Sequence, residues 1–236
     1  MNLFKILSRT LGFLTLILAL LSSDIKAQNS HTPAKKVNFK VATAYPLSFS
    51  EVNTLTGYLG ERYEKNLRNR LLSIDEVGIL EGFQKRPGKQ RWIGEHVGKY
   101  LEAASNTWMV TKDPALKAQM DRIFNELLKT QLPDGYLGTY LPEMYWTAWD
   151  VWVHKYDLVG LLAYYKATGN KDAYDASVKI GDLLLKIFGE KEGQKDIIKA
   201  GSHVGMAATS VIEPMTELYM WTGDKRYLDF CEYNVR

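Results

Sequence analysis

Trp108-Met109-Val110-Thr111-Lys112-Asp113, Tyr165-Lys166-Ala167-Thr168-Gly169-Asn170 and Tyr219-Met220-Trp221-Thr222-Gly223-Asp224 are one phrase written three times. Each copy reads aromatic, two variable residues, Thr, Gly or Lys, then Asp or Asn. Thr111 and Thr168 are 57 residues apart, Thr168 and Thr222 are 54 apart. Self-similarity at such a period is the mark of a repeat architecture. Gly ends a helix in the left-handed conformation, and Asp or Asn caps the next one. Each phrase therefore predicts a tight turn between two antiparallel helices.

The segments around the phrases have helical periodicity. Residues 61–73 read as a charged helix, followed by a Gly/Pro loop at 83–89. Helices are predicted over 92–110, from Pro114 to about residue 132, and over 149–167, 171–188, 211–221 and 227–235. Asp113-Pro114 supplies an N-cap and a Pro at the first helical position. Residues 131–147 and 190–205 are longer polar connections on the opposite end of each hairpin. The expected fold is all-α: an α/α toroid, here a partial (α/α)6 barrel of about three helical hairpins. Residues 37–49 (VNFKVATAYPLSF) alternate apolar and polar positions and predict a short extended N-terminal arm. A closed ring of six hairpins needs about 330–400 residues at this period. The domain at 37–236 is thus expected to be the front half of a longer catalytic domain, truncated at its C-terminus.

Residues 1–27 read as a secretory signal peptide. Lys5 and Arg9 precede the apolar run 11–22 (LGFLTLILALLS), and Ala27 offers a small cleavage residue. The run is shorter than the ~20 residues of a membrane span. Export would place the chain outside a bacterial cell or in its periplasm, with no membrane association after cleavage and residues 28–36 as a disordered mature terminus. The whole sequence carries a formal net charge of +3, with no basic field of the kind that binds nucleic acid. The single cysteine, Cys231, excludes an internal disulfide and a cysteine-based zinc cluster within the chain. It lies in an apolar-periodic run and reads as buried and inert.

Chemistry is expected on the long-loop side, where polar and aromatic residues collect. Glu95 and Lys99 are an i,i+4 pair, by default an ordinary helix ion pair. His96 beside them is either structural or substrate-facing. Asp150, His154 and Asp157 fall at i, i+4 and i+7, on one helix face. Such a stripe is usually solvated. Here it follows a long loop and is flanked by Trp149 and Trp152, which points to a substrate-facing role for Asp150 or His154. Asp134-Gly135 is first a turn and second a sugar-hydroxyl contact, and His203 sits in a Gly-rich loop. Six Trp and fourteen Tyr fit either large core residues or a carbohydrate cleft. There is no His-Glu-x-x-His, Walker loop, dinucleotide fingerprint or Gly-x-Ser-x-Gly.

Residues 92–101 (WIGEHVGKYL), 131–140 (QLPDGYLGTY), 149–156 (WDVWVHKY) and 160–165 (GLLAYY), together with the repeat, resemble glycoside hydrolase family 127, typified by β-L-arabinofuranosidases. The resemblance covers about residues 37–236. It implies an (α/α)6 barrel and hydrolysis of arabinose-containing plant-type glycans with retention, on an oligo- or polysaccharide substrate. It also implies, in the full-length family, a cysteine nucleophile held by zinc with a glutamate and further cysteines. Those elements belong to the second half of the barrel. No position here matches them, and Cys231 is not in a matching motif. No catalytic residue or metal ligand is therefore assigned within this chain, and Glu95, His96, Trp149, Asp150 and His154 are the expected substrate-pocket residues. Two other readings stand beside this one. The first is another α/α-toroid carbohydrate enzyme, such as a polysaccharide lyase or an unsaturated glycuronyl hydrolase. The second is a non-enzymatic helical-repeat binding scaffold.

Overall fold

Each copy of the repeated phrase builds the same turn. The computed structural model describes residues 33–37 and 55–236. In it, Lys112, Gly169 and Gly223 are all left-handed, with φ of 53°, 72° and 73°. Their N–H groups donate to the carbonyls of Trp108, Tyr165 and Tyr219 at 2.7–2.8 Å, which makes the aromatic position the closing carbonyl of the helix. The Thr hydroxyl works in two directions. It donates to a carbonyl one turn back (Thr107, Tyr164, Leu218) and accepts from the N–H of Asp113, Asn170 or Asp224. The Asp or Asn then accepts from the first N–H groups of the returning helix.

The helices so joined are α3 (Glu95–Thr111) with α4 (Pro114–Leu128), α5 (Asp150–Thr168) with α6 (Lys171–Ile187), and α8 (Ile212–Thr222) with α9 (Lys225–Asn234). Before them come α1 (Gly57–Asn66), which runs into a π-helical turn at Leu67–Leu71, and α2 (Glu76–Gln84). A single turn, α7 (Met206–Thr209), precedes α8. Among the described residues there is no strand, only an isolated bridge between Phe188 and Lys195. No described helix is long and apolar enough to cross a membrane.

The first helices of the hairpins form one layer: α5 packs against α3 on one side and α8 on the other. The second helices, α4, α6 and α9, each back their own partner. This two-layer pattern is the all-helical α/α arrangement expected from the sequence. The α3–α5 crossing is the tightest. A Cβ on Gly98 would stand 2.0 Å from the Tyr156 carbonyl oxygen, and one on Gly160 would stand 2.6 Å from the Gly98 oxygen. The two backbones touch there, which requires both glycines. The core is continuous across the layers, from Leu101, Met120 and Phe124 through Leu158, Leu162 and Ile180 to Met215 and Leu218.

Several boundaries differ from the sequence reading. Helix α3 starts at Glu95 rather than residue 92, because residues 91–94 are spent on turns. Helix α4 stops at Leu128, four residues early, where the Thr130 hydroxyl and N–H both bind the Leu127 carbonyl. Helix α2 was not anticipated; Asp75 caps it through Gly78 N–H at 2.9 Å. The signal peptide and nearly all of the extended arm fall outside the described residues. Within the tail expected to be disordered, Lys36 and the neighbouring Val37 donate their N–H groups to the Met220 carbonyl at 2.9 and 3.1 Å. Lys35 pairs with Glu217 at 3.3 Å. These contacts hold residues 33–37 against the end of α8.

Candidate functional site

On the long-loop side, α3 and α5 begin next to each other because their backbones are in contact within the next three turns. Their first turns bring Glu95 and Lys99 opposite Trp149 and Trp152. With Trp92, from the turn before α3, these residues line a shallow, open cavity of about 320 Å3. That size suits a single sugar ring or a similar small molecule. The Trp92 and Trp149 rings meet edge to face at 6.1 Å, and Trp149 and Trp152 at 5.5 Å. Trp92 remains 42% exposed.

The polar members of the cavity hold one another. The Trp152 indole N–H donates to Glu95 Oε2. Glu95 Oε1 pairs with Lys99 Nζ at 2.8 Å. Lys99 Nζ also lies 4.4 Å from the Tyr156 ring centre. Lys155 Nζ lies 5.1 and 4.9 Å from the Trp152 and Tyr156 ring centres and pairs with Glu213 at 3.5 Å. His203 meets Trp149 edge to face at 5.0 Å.

Two nearby backbone segments are strained. Trp146 and Ala148, just before α5, have φ of 62° and 49°, and His203 and Val204 have φ of 56° and 55°. A left-handed β-branched residue such as Val204 is rare. The two strained segments are tied by the Ser202 N–H to the Ala148 carbonyl at 2.8 Å. Strain of this kind persists only where the surroundings fix it.

Of the five residues expected to face substrate, Glu95 and Trp149 line the cavity. His96 is exposed beside it, 3.9 Å from Glu95. Asp150 and His154 are fully buried, and so is Asp157, the third member of their stripe. The stripe expected to face substrate is thus an interior one. Helix α5 is covered by α3, α6 and α8, so this face had no open side to present. Asp150 Oδ1 accepts from the Tyr136 hydroxyl and Oδ2 from Trp146 N–H, both at 2.8 Å. His154 Nδ1 donates to the Asp150 carbonyl at 2.8 Å, which leaves Nε2 to accept from Leu137 N–H at 3.3 Å. Burial pushes the His154 pKa down and keeps the ring neutral, as that tautomer requires. Asp134 is a turn residue, accepting from Tyr136 N–H at 3.0 Å.

Trp92, Trp152 and Lys99 line the cavity beyond the residues expected from sequence. The available signal was the Glu95–Lys99 spacing, one helical turn after Trp92. A larger groove of about 580 Å3 runs between α6 and α9. Its rim carries charges of both signs, and none of the expected site residues lies in it.

Comparisons with known proteins give the setting. Residues 50–236 match the family described as β-L-arabinofuranosidase, GH127 catalytic domain. A curated non-reducing end β-L-arabinofuranosidase from Bifidobacterium longum subsp. longum is 30% identical over 151 residues, 59% of this chain and 22% of that protein. A solved GH127 β-L-arabinofuranosidase from Geobacillus stearothermophilus T6 superposes with a TM-score of 0.56 at 25% identity, over 74% of this chain and 29% of that one. A second solved GH127 β-arabinofuranosidase has a TM-score of 0.55 at 21% identity, over 73% and 29%. The chain thus spans between a fifth and a third of the length of these relatives.

Proposed function

This chain belongs to the β-L-arabinofuranosidase GH127 catalytic-domain family, and from that membership we propose that it is a sugar-gripping helical segment of an exported hydrolase that cleaves arabinose-containing plant-type glycans with retention. The cavity of Trp92, Trp149 and Trp152 carries this reading. Indole faces supply apolar surface to the C–H face of a sugar, and their edges remain near polar groups that orient its hydroxyls. Glu95 is the one carboxylate among the described residues that line the cavity. Lys99 and Glu95 neutralise one another, so the cavity suits a neutral sugar better than the uronate that a lyase or an unsaturated glycuronyl hydrolase takes.

Residues 1–27 support export to the periplasm or the cell exterior. The zinc implied by the resemblance does not fit the described residues. No three His, Cys, Asp or Glu side chains among them gather as a metal site. Cys231 is buried, with the Thr216 hydroxyl donating to its sulfur at 3.4 Å.

Calorimetric titration of the whole chain with methyl β-L-arabinofuranoside tests the proposal. Binding by the wild type that weakens about tenfold or more in Trp149→Ala is expected, the loss of one stacking wall costing roughly 1–2 kcal/mol. Binding of galacturonate with none of the arabinofuranoside would sink it.

A further inference from the structure

We propose that Asp150, Tyr136 and Tyr140 are positioning residues that set the Trp149 wall of the cavity from inside the protein; the consequence for sugar binding rests on the function proposed above. The chain of contacts is unbroken. Trp149 N–H donates to the Tyr140 hydroxyl at 3.2 Å. Tyr140 N–H donates to the Tyr136 hydroxyl at 3.2 Å. The Tyr136 hydroxyl donates to Asp150 Oδ1 at 2.8 Å, and Asp150 Oδ2 takes the Trp146 N–H. Four donors are thus aligned on one buried relay that starts at a carboxylate and ends at the backbone of a cavity residue.

The relay holds the part of the loop that needs holding. Trp146 and Ala148 are both left-handed without being glycine, a strained conformation that persists only where the surroundings fix it. Asp150 fastens Trp146, and Tyr140 fastens Trp149, one on each side of Ala148. The Tyr136 ring is itself clamped: Tyr145 stacks on it at 3.8 Å and Trp146 meets it edge to face at 5.7 Å. Arg86 stands 5.4 Å from the same ring and binds the carbonyls of Gly138 and Thr130. None of these residues lines the cavity. Their effect on a ligand passes through Trp149, which carries no side-chain cap of its own at the start of α5.

The experiment labels the whole chain with 5-fluorotryptophan and assigns the Trp149 resonance by Trp149→Phe. Tyr136→Phe and the milder Tyr140→Phe are compared with Ile123→Val, a core change in α4 outside the relay. A shifted or broadened Trp149 resonance is expected in both tyrosine variants, with Trp108 unmoved, and all resonances unmoved in Ile123→Val. Affinity for methyl β-L-arabinofuranoside should fall about tenfold in the tyrosine variants and by less than about twofold in the control, as expected when a supporting shell loosens. Should Tyr136→Phe fail to fold, Tyr140→Phe decides alone. An unmoved Trp149 resonance in Tyr140→Phe overturns the inference. A moved resonance in a protein that binds no arabinofuranoside upholds the relay and removes the proposed function instead.

Discussion

Asp157 is buried with no hydrogen-bond partner for either carboxyl oxygen. Burial, with a smaller contribution from the Asp150 charge, raises its pKa well above the ordinary carboxylate value. The folded chain therefore keeps a proton that the unfolded chain releases near pH 4. Stability contributed by this group is full below that pH and falls as pH rises toward the elevated folded value. Asp157→Asn, neutral at every pH, should lose this fall, and thermal melts between pH 4 and 9 measure the difference. Equal slopes in the two proteins would contradict it. A second residue-scale case is Lys112, which stands where the other two copies of the turn have Gly. A left-handed non-glycine residue costs roughly 1–2 kcal/mol, part of which the Lys112 ammonium recovers over the Trp108 ring at 4.1 Å. Lys112→Gly is expected to raise stability by about 0.5–1 kcal/mol in urea unfolding. Both residues bear on what a sequence can disclose. Lys112 was legible because a turn is a local object, and the two sister copies name its conformation. Asp157 was not. Helical spacing puts it on one face with Asp150 and His154, but spacing does not tell whether other helices cover that face.

At the scale of elements, the helix ends set by Thr-Gly-Asp phrases agree with the sequence reading to within a residue or two, since caps and left-handed glycines are local chemistry. The ends that missed are set by loops. Residues 92–94 look helical because Trp92 continues the apolar rhythm of α3, yet they turn to bring Trp92 toward Trp149. Helix α2 is nine residues long and runs into a Gly/Pro loop, which masked it. The α3–α5 crossing yields the sharpest element-scale expectation. Gly98→Ala would place a methyl group 2.0 Å from the Tyr156 carbonyl oxygen, a clash with backbone that no rotamer change relieves. It should destabilise the protein by about 1–3 kcal/mol or more and weaken sugar binding, because the same crossing brings the first turns of α3 and α5 together. A Gly98→Ala protein with wild-type melting and affinity would show that this contact does not set the site.

At the scale of the molecule, the repeat divides the helical layers into two rims. One is occupied by the three short turns, where side chains are used up in capping. The other carries the long connections, and with them Trp92, Trp149 and His203. That division was readable from the order of the phrases. Which loop residues converge was not, because Glu95 and Trp152 lie 57 residues apart and meet only through the packing of α3 on α5. Saturation-transfer NMR of methyl β-L-arabinofuranoside with the whole chain tests the placement most directly, using Trp149→Ala on the long-loop rim and Trp108→Ala on the short-turn rim. Transfer to the sugar ring protons that persists in Trp108→Ala and vanishes in Trp149→Ala is the expected result. No transfer to the wild type, or transfer lost with Trp108 and kept without Trp149, would contradict it.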